Sequence, residues 1–177
     1  QFCQWREHGI ISFNQTFNVN LSCSQLQRSD IVPFLLNRLD VSDISPHNVV
    51  LEITESYLLA DSELVMKNLN EMNKLGFSIF VDDFGTGYSS LSYLAKYPIR
   101  GIKIDRSFER ELIRSMIAMA EALNLKVVTE GIETIKQLHV ITELGCRYVQ
   151  GFLFTRPMNL MQAENFLVNH PYRKLLD

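Results

Sequence analysis

A chain of 177 residues that is 46% hydrophobic and 21% charged is long enough to bury a sizeable core, and its formal net charge of −3 speaks against a bulk binder of DNA, RNA or another polyanion. No apolar run approaches the roughly 20 residues that a membrane-spanning helix needs, and no signal-peptide pattern opens the sequence. Three cysteines, Cys3, Cys23 and Cys146, are an odd number without CxxC spacing, which argues against a disulfide frame or a zinc site and for a reducing, cytoplasmic setting.

In chain order, apolar runs rich in β-branched and aromatic residues predict strands near 16–22, 48–54, 77–83, 100–105, 125–130 and 147–152. Helix-length segments follow them near 24–39, 61–75, 89–96, 107–124, 133–144 and 160–169. Asp61 and Ser62 suit the start of the second helix, Gly76 its left-handed end, and Asn124 the same part before KVV. Gly85 and Gly87 suit a tight loop, with Ser89 and Ser90 as caps of the helix after it. Strands alternating with helices are βα units, and right-handed crossovers build them into a parallel sheet buried on both faces. The expected fold class is α/β, a TIM-like (β/α) barrel in one domain. A complete barrel needs about 250 residues, so this one is expected to be incomplete. The chain begins with Gln rather than Met and reads as a fragment.

Each apolar run ends on a polar group: Asn20, Glu52, Asp82 with Asp83, Asp105, Glu130 and Gln150, about 20 to 30 residues apart. The carboxyl ends of the strands are where such a barrel keeps its active site. Taken singly, an acidic residue at a strand end is more often a helix cap or a salt-bridge partner. A whole register of them reverses that reading. Glu52, Asp82, Asp83 and Glu130 would converge on one barrel mouth, where two unit charges 4 Å apart repel by about 4 kcal/mol at an effective dielectric near 20. Such a cluster needs cations, and with no Cys or His at the strand ends the expected ions are hard ones, Mg²⁺ or Mn²⁺. Lys103 and Asp105 are two apart on one strand and share a face. An ion pair between them is the plainer alternative to a chemical role. His8, His47, His139 and His170 fall in predicted helices, loops or termini and read as structural or surface residues. Met66, Met72, Met116 and Met119, at helical spacing, read as core packing.

NVNLS (18–22), LEITES (51–56), VDDFGTGYSSLSYL (81–94), IKIDRSF (102–108), VVTEGIET (127–134) and VQGFLFTRP (149–157) resemble, in order, the internal motifs of the EAL-domain family. That family consists of bacterial cyclic di-GMP phosphodiesterases on a modified TIM-like barrel. The resemblance runs from about Phe17 to Pro157, and DDFGTGYSSL is its most specific part. Two departures stand out. The strand carrying Glu-Ala-Leu, whose Glu is a metal ligand in active members, normally precedes the NVNLS motif, so the barrel is expected to lack its N-terminal strand. After Phe108, members have a longer acidic loop, whereas SFERELIRSMIAMAEAL passes straight into helix-forming sequence, so this loop is either short or omitted.

The resemblance implies metal-dependent hydrolysis of cyclic di-GMP to linear pGpG at a two-metal site. Asn20, Glu52 and Asp82 would hold one Mg²⁺ or Mn²⁺, with Asp82 bridging to a second ion held by Asp83 and Glu130. Lys103, Asp105 and Glu130 are the implied catalytic residues: the lysine meets the attacking water or phosphate, and the aspartate organises the second metal's water shell. Glu55 would steady the DFGTGYSSL loop and Glu133 would support Glu130. Gln150, Arg156 and Pro157 would sit at the ligand rim, with Gln150 also a possible neutral donor. The implied partners are cyclic di-GMP, a second copy in a homodimer, and upstream sensory or GGDEF segments, in a cytosolic protein or the cytosolic part of a membrane-anchored one. The alternative is a catalytically silent cyclic di-GMP receptor of the same fold. A protein-interaction domain that binds no nucleotide has no use for this carboxylate set.

Overall fold

The computed structural model describes residues 1–58, 62–86 and 92–169. Six parallel strands form one sheet in chain order: β1 (Phe17–Asn20), β2 (Val49–Thr54), β3 (Ser78–Asp82), β4 (Gly101–Asp105), β5 (Lys126–Glu130) and β6 (Tyr148–Val149). Every neighbouring pair is parallel, and among the described residues β1 and β6 are the two edge strands of the sheet. This is the incomplete α/β barrel that the alternation of runs and the length of the chain predict.

One residue in two along each strand is turned outward to the helices. Leu51, Ile53, Ile79, Val81, Ile102 and Ile104 are essentially inaccessible, and they meet the apolar stripes of α5 (Glu63–Leu75) and α7 (Arg110–Ala122). Val65, Leu69 and Met72 are buried on the first of these helices, and Ile113, Met116, Ile117 and Ala120 on the second. Met66 and Met119 pack against the same core, and His8, His47 and His139 are exposed. Ser62 caps α5 by accepting from the Val65 N–H, and Gly76 ends it at φ +105°. Asn124 adopts φ +56° before β5, the left-handed turn its side chain tolerates. Asp61, Gly87, Ser89, Ser90 and His170 lie outside the described residues.

Several predicted elements differ. The helix expected over 24–39 is two helices, α2 (Cys23–Leu26) and α3 (Ile31–Asp40). Pro33 has no N–H for the Ser29 carbonyl, so a helix can continue only by restarting with Pro33 in its first turn. The carbonyls of Leu26 and Arg28 at the break accept from the buried Asn68 Nδ2 of α5, at 2.8 and 3.0 Å. The helix expected from 107 begins at Arg110, because residues 106–108 are held in a turn: the Arg106 N–H donates to the Glu130 carbonyl (3.2 Å) and the Ser107 N–H to Asp105 Oδ1 (2.7 Å). β6 is shorter than expected, although the Gln150 N–H still pairs with the Thr129 carbonyl at 2.9 Å. Three further helices are short: α1 (Phe2–Glu7), where the sequence pattern gives no element, α4 (Glu55–Leu58) directly after β2, and α6 (Ser92–Lys96). The last two, α8 (Ile135–Glu143) and α9 (Leu160–Asn169), fall close to their predicted spans. Among the described residues no helix is long and apolar enough to cross a membrane.

Candidate active site

Residues paired laterally across parallel strands share a face of the sheet. Asn20 pairs with Glu52, Thr54 with Asp82, Phe80 with Gly101, and Asp105 with Glu130. Counting in twos from these pairs puts Asn18, Asn20, Glu52, Asp82, Lys103, Asp105 and Glu130 on the one inner face. Phe80 forms a floor below them. A Cβ on Gly101 would stand 2.6 Å from the Phe80 ring, so glycine lets that ring lie flat across β4.

Above the floor, three carboxylates meet one ammonium. Lys103 Nζ lies 2.8 Å from Glu52 Oε2, 3.2 Å from Asp82 Oδ1 and 2.7 Å from Glu130 Oε1. The lysine side chain is 4% exposed and that of Glu52 6%. The approach to Glu130 is short but poorly aligned, an ion pair without a directed hydrogen bond, so Glu130 Oε1 stays a buried oxygen with unused acceptor capacity. Glu52 is engaged at both oxygens, because Asn18 Nδ2 donates to its Oε1. Asn18 was not among the residues singled out from sequence, although its spacing of two from Asn20 puts it on the same face.

One ammonium against three carboxylates leaves the cluster net negative, and the ionisation equilibria follow. Burial alone would lower the Lys103 pKa, but its contacts with Glu130 and Glu52 outweigh burial and hold it above the ordinary lysine value. Burial, joined by repulsion from Asp82 and Glu52, raises the Glu130 carboxyl above its ordinary value despite the attraction of Lys103. Asp105 is held below the usual carboxylate range by hydrogen bonding from Ser107. The ion pair of Lys103 is therefore with the three carboxylates across the inner face, while Asp105 engages the turn that follows it.

The remaining residues surround this cluster at varying remove. Asn20 is exposed on the edge strand, level with Glu52. Asp83 takes a left-handed backbone (φ +54°), donates its N–H to Asp82 Oδ1 at 3.1 Å, and is exposed. Glu55, 2% exposed at the start of α4, accepts the Gly85 N–H on Oε2 at 2.9 Å. Glu133 forms its ion pair with Arg106 (3.0 Å), whose N–H donates to the Glu130 carbonyl, so that arginine links it to the backbone of β5. Gln150, Arg156 and Pro157 line a cavity of about 470 Å³ with Phe152 and Phe154, and the Arg156 guanidinium stacks 5.2 Å from the Phe152 ring centre.

Among the described residues no three His, Cys, Asp or Glu side chains form a ready metal cage, and the cation at the point of convergence is Lys103. The donors nevertheless fit a hard divalent ion. All are oxygens, the cluster is short of positive charge, and a buried Glu130 oxygen lacks a directed hydrogen bond.

A parallel βα half-barrel with an acidic cluster at its strand ends is the class of domain defined here. The chain belongs to the EAL domain family, whose model matches residues 1–157. It is 40% identical over 158 residues to the cyclic di-GMP phosphodiesterase NbdA of Pseudomonas aeruginosa, an alignment covering 84% of this chain and 20% of that protein. The MucR phosphodiesterase in complex with cyclic di-GMP superposes with a TM-score of 0.84 at 35% identity, over 92% of this chain and 68% of that one. BlrP1 of Klebsiella pneumoniae, solved with cyclic di-GMP and calcium or manganese, gives TM-scores of 0.74 and 0.75 at 30% identity, over 80% and 81% of this chain and 39% of that one. The chain spans between 20% and 26% of the length of the curated relatives NbdA, PdeR of Escherichia coli and YkoW of Bacillus subtilis.

Proposed function

We propose that this domain, within its parent protein, hydrolyses cyclic di-GMP to linear pGpG with Mg²⁺ or Mn²⁺. The observation that carries the reading is the convergence of Glu52, Asp82 and Glu130 on one inner face, with Lys103 between them. Asn20, Glu52 and Asp82 would hold one ion, and Asp82, Asp83 and Glu130 a second. When bound, such a pair supplies an activated water and charge stabilisation for an in-line phosphodiester displacement.

The chain's own groups do the rest. Once divalent ions satisfy the carboxylates, the Lys103 ammonium is free to face the phosphate and stabilise charge developing on its oxygens. Glu130, which lies beside Lys103 on the inner face, would meet the attacking water and take part in removing its proton. Asp105, held ionised by Ser107, orders water beside it. Arg156 on Phe152 and the neighbouring Gln150 and Pro157 form the rim against which a guanine would lie. The parent protein would act in the cytosol, as a homodimer with upstream sensory or GGDEF segments.

Chromatography of the reaction products tests the reading. Linear pGpG should appear with Mg²⁺ or Mn²⁺ and vanish in EDTA, and Ca²⁺, with its looser geometry, should support binding but little turnover. Full activity in EDTA, or binding without turnover in Mn²⁺, overturns it in favour of metal-free chemistry or a silent receptor respectively.

A further inference from the structure

We propose that Asn18 sets the choice of divalent cation by reserving one oxygen of Glu52. This rests on the reading above that Glu52 is a metal ligand. The two oxygens of that carboxylate are divided between donors from opposite sides: Asn18 Nδ2 on β1 takes Oε1, and Lys103 Nζ on β4 takes Oε2 at 2.8 Å. The amide of Asn18 must present its NH₂ end, since its carbonyl would set two acceptors against each other.

Packing does not demand an amide at this position. Its lateral partner on β2 is the apolar Val50, which offers an amide no hydrogen bond. Its hydrogen-bond partner is the functional carboxylate one layer further up the strand.

The consequence lies in coordination chemistry. The Lys103 ammonium has two other carboxylates to move to, Asp82 and Glu130, whereas Asn18 stays on Oε1. Glu52 then offers an incoming ion a single oxygen, Oε2. Mg²⁺ and Mn²⁺ accept one oxygen per carboxylate in near-octahedral sites, whereas Ca²⁺ takes 6–8 oxygens and commonly uses both from one carboxylate. Holding Glu52 to one oxygen therefore penalises Ca²⁺ more than Mg²⁺ or Mn²⁺, and Asn18 is a specificity-determining residue that acts through Glu52.

The test is calorimetric titration of the full-length protein with Ca²⁺ and with Mn²⁺, each without nucleotide, for wild type, Asn18→Ala and Asn18→Leu. Both variants lose the donor to Oε1, and both should shift the ratio of Ca²⁺ to Mn²⁺ affinity toward Ca²⁺ by about ten- to hundredfold, the worth of one hydrogen bond to a charged carboxylate. A merely structural role for Asn18 weakens both ions alike. An unchanged ratio, or a shift toward Mn²⁺, in a variant with the wild-type circular dichroism spectrum overturns the inference while leaving the proposed function standing. If Asn18→Ala does not fold, Asn18→Leu, which keeps the side-chain size without a donor or a charge, decides. A wild-type protein that binds neither ion overturns this inference and the two-metal reading together.

Discussion

Lys103 Nζ and Glu52 Oε2 lie 2.8 Å apart, with side chains only 4% and 6% exposed. A pair this buried is weak evidence of net stability, yet removing one partner strands the other charge. Replacing Lys103 by Met would leave Glu52, Asp82 and Glu130 facing one another without a cation. In EDTA, Lys103→Met should lower unfolding stability by about 3 kcal/mol, the low end for a broken buried pair because this one sits at the open end of the strands. Mn²⁺ should recover much of the loss by binding the folded state. Urea unfolding with and without Mn²⁺ measures both, and a variant as stable as wild type in EDTA would show that Lys103 is not the cation holding the cluster.

Asp83 presents a different separation of roles. Its φ of +54° lies in the left-handed region, which Asn adopts about as readily as Asp and Ala does not. Asp83→Asn thus removes a charge at constant size and backbone. It should cut turnover by orders of magnitude while leaving the melting temperature near wild type and cyclic di-GMP affinity less affected than rate. Near-normal turnover from folded Asp83→Asn protein contradicts a role for Asp83 in holding the second ion.

The order of the strands and the polar residue at each strand end are legible in the sequence because the β period and the buried runs are local signals. Which carboxylates reach Lys103 is not legible, since it depends on the stagger between strands: Phe80 pairs with Gly101, and Lys103 with Val128. The sequence brings Lys103 and Asp105 to one face, but the turn at Ser107 draws Asp105 away from the lysine. The single helix expected over 24–39 misses the break between α2 and α3, although Pro33 is a local sign of it, and the capture of the freed carbonyls by Asn68, some 40 residues away, is a tertiary event. Glu133 lies three residues past Glu130, yet its charge is claimed by Arg106. Six residues of α1 are too few for a period of 3.6 to show.

Glu55 gives a test of how the loop after β3 is held. Its Oε2 accepts the Gly85 N–H at 2.9 Å, and its Oε1 is buried without a hydrogen-bond partner. Glu55→Ala leaves the Gly85 amide unpaired in a half-buried turn, at a cost of about 1–3 kcal/mol. Amide hydrogen exchange at Gly85 should accelerate, and kcat should fall through displacement of Asp82 and Asp83 just before it, with KM changed less. An unchanged exchange rate at Gly85 would mean that the turn is fixed by other contacts.

Glu130 connects the electrostatics to pH. Its carboxyl is raised above the ordinary value of 4.5, first by burial and then by Asp82 and Glu52, against the pull of Lys103. A carboxyl with a folded pKa above its unfolded one binds a proton more readily in the native chain. Without metal, its contribution to stability therefore falls as pH rises from 4.5 through the raised folded value. Metal ligation runs the other way, because the carboxylate must lose that proton to bind. Mn²⁺ affinity should climb as pH rises through the folded pKa of Glu130 and level off above it, while metal-free unfolding stability declines over the same window. Glu130→Gln has no proton to lose and should flatten both slopes. Titrations of Mn²⁺ binding and of denaturation in EDTA, from about pH 5 to about pH 8, read the two trends side by side. If the wild-type slopes persist in Glu130→Gln, Glu130 is not the group that sets them.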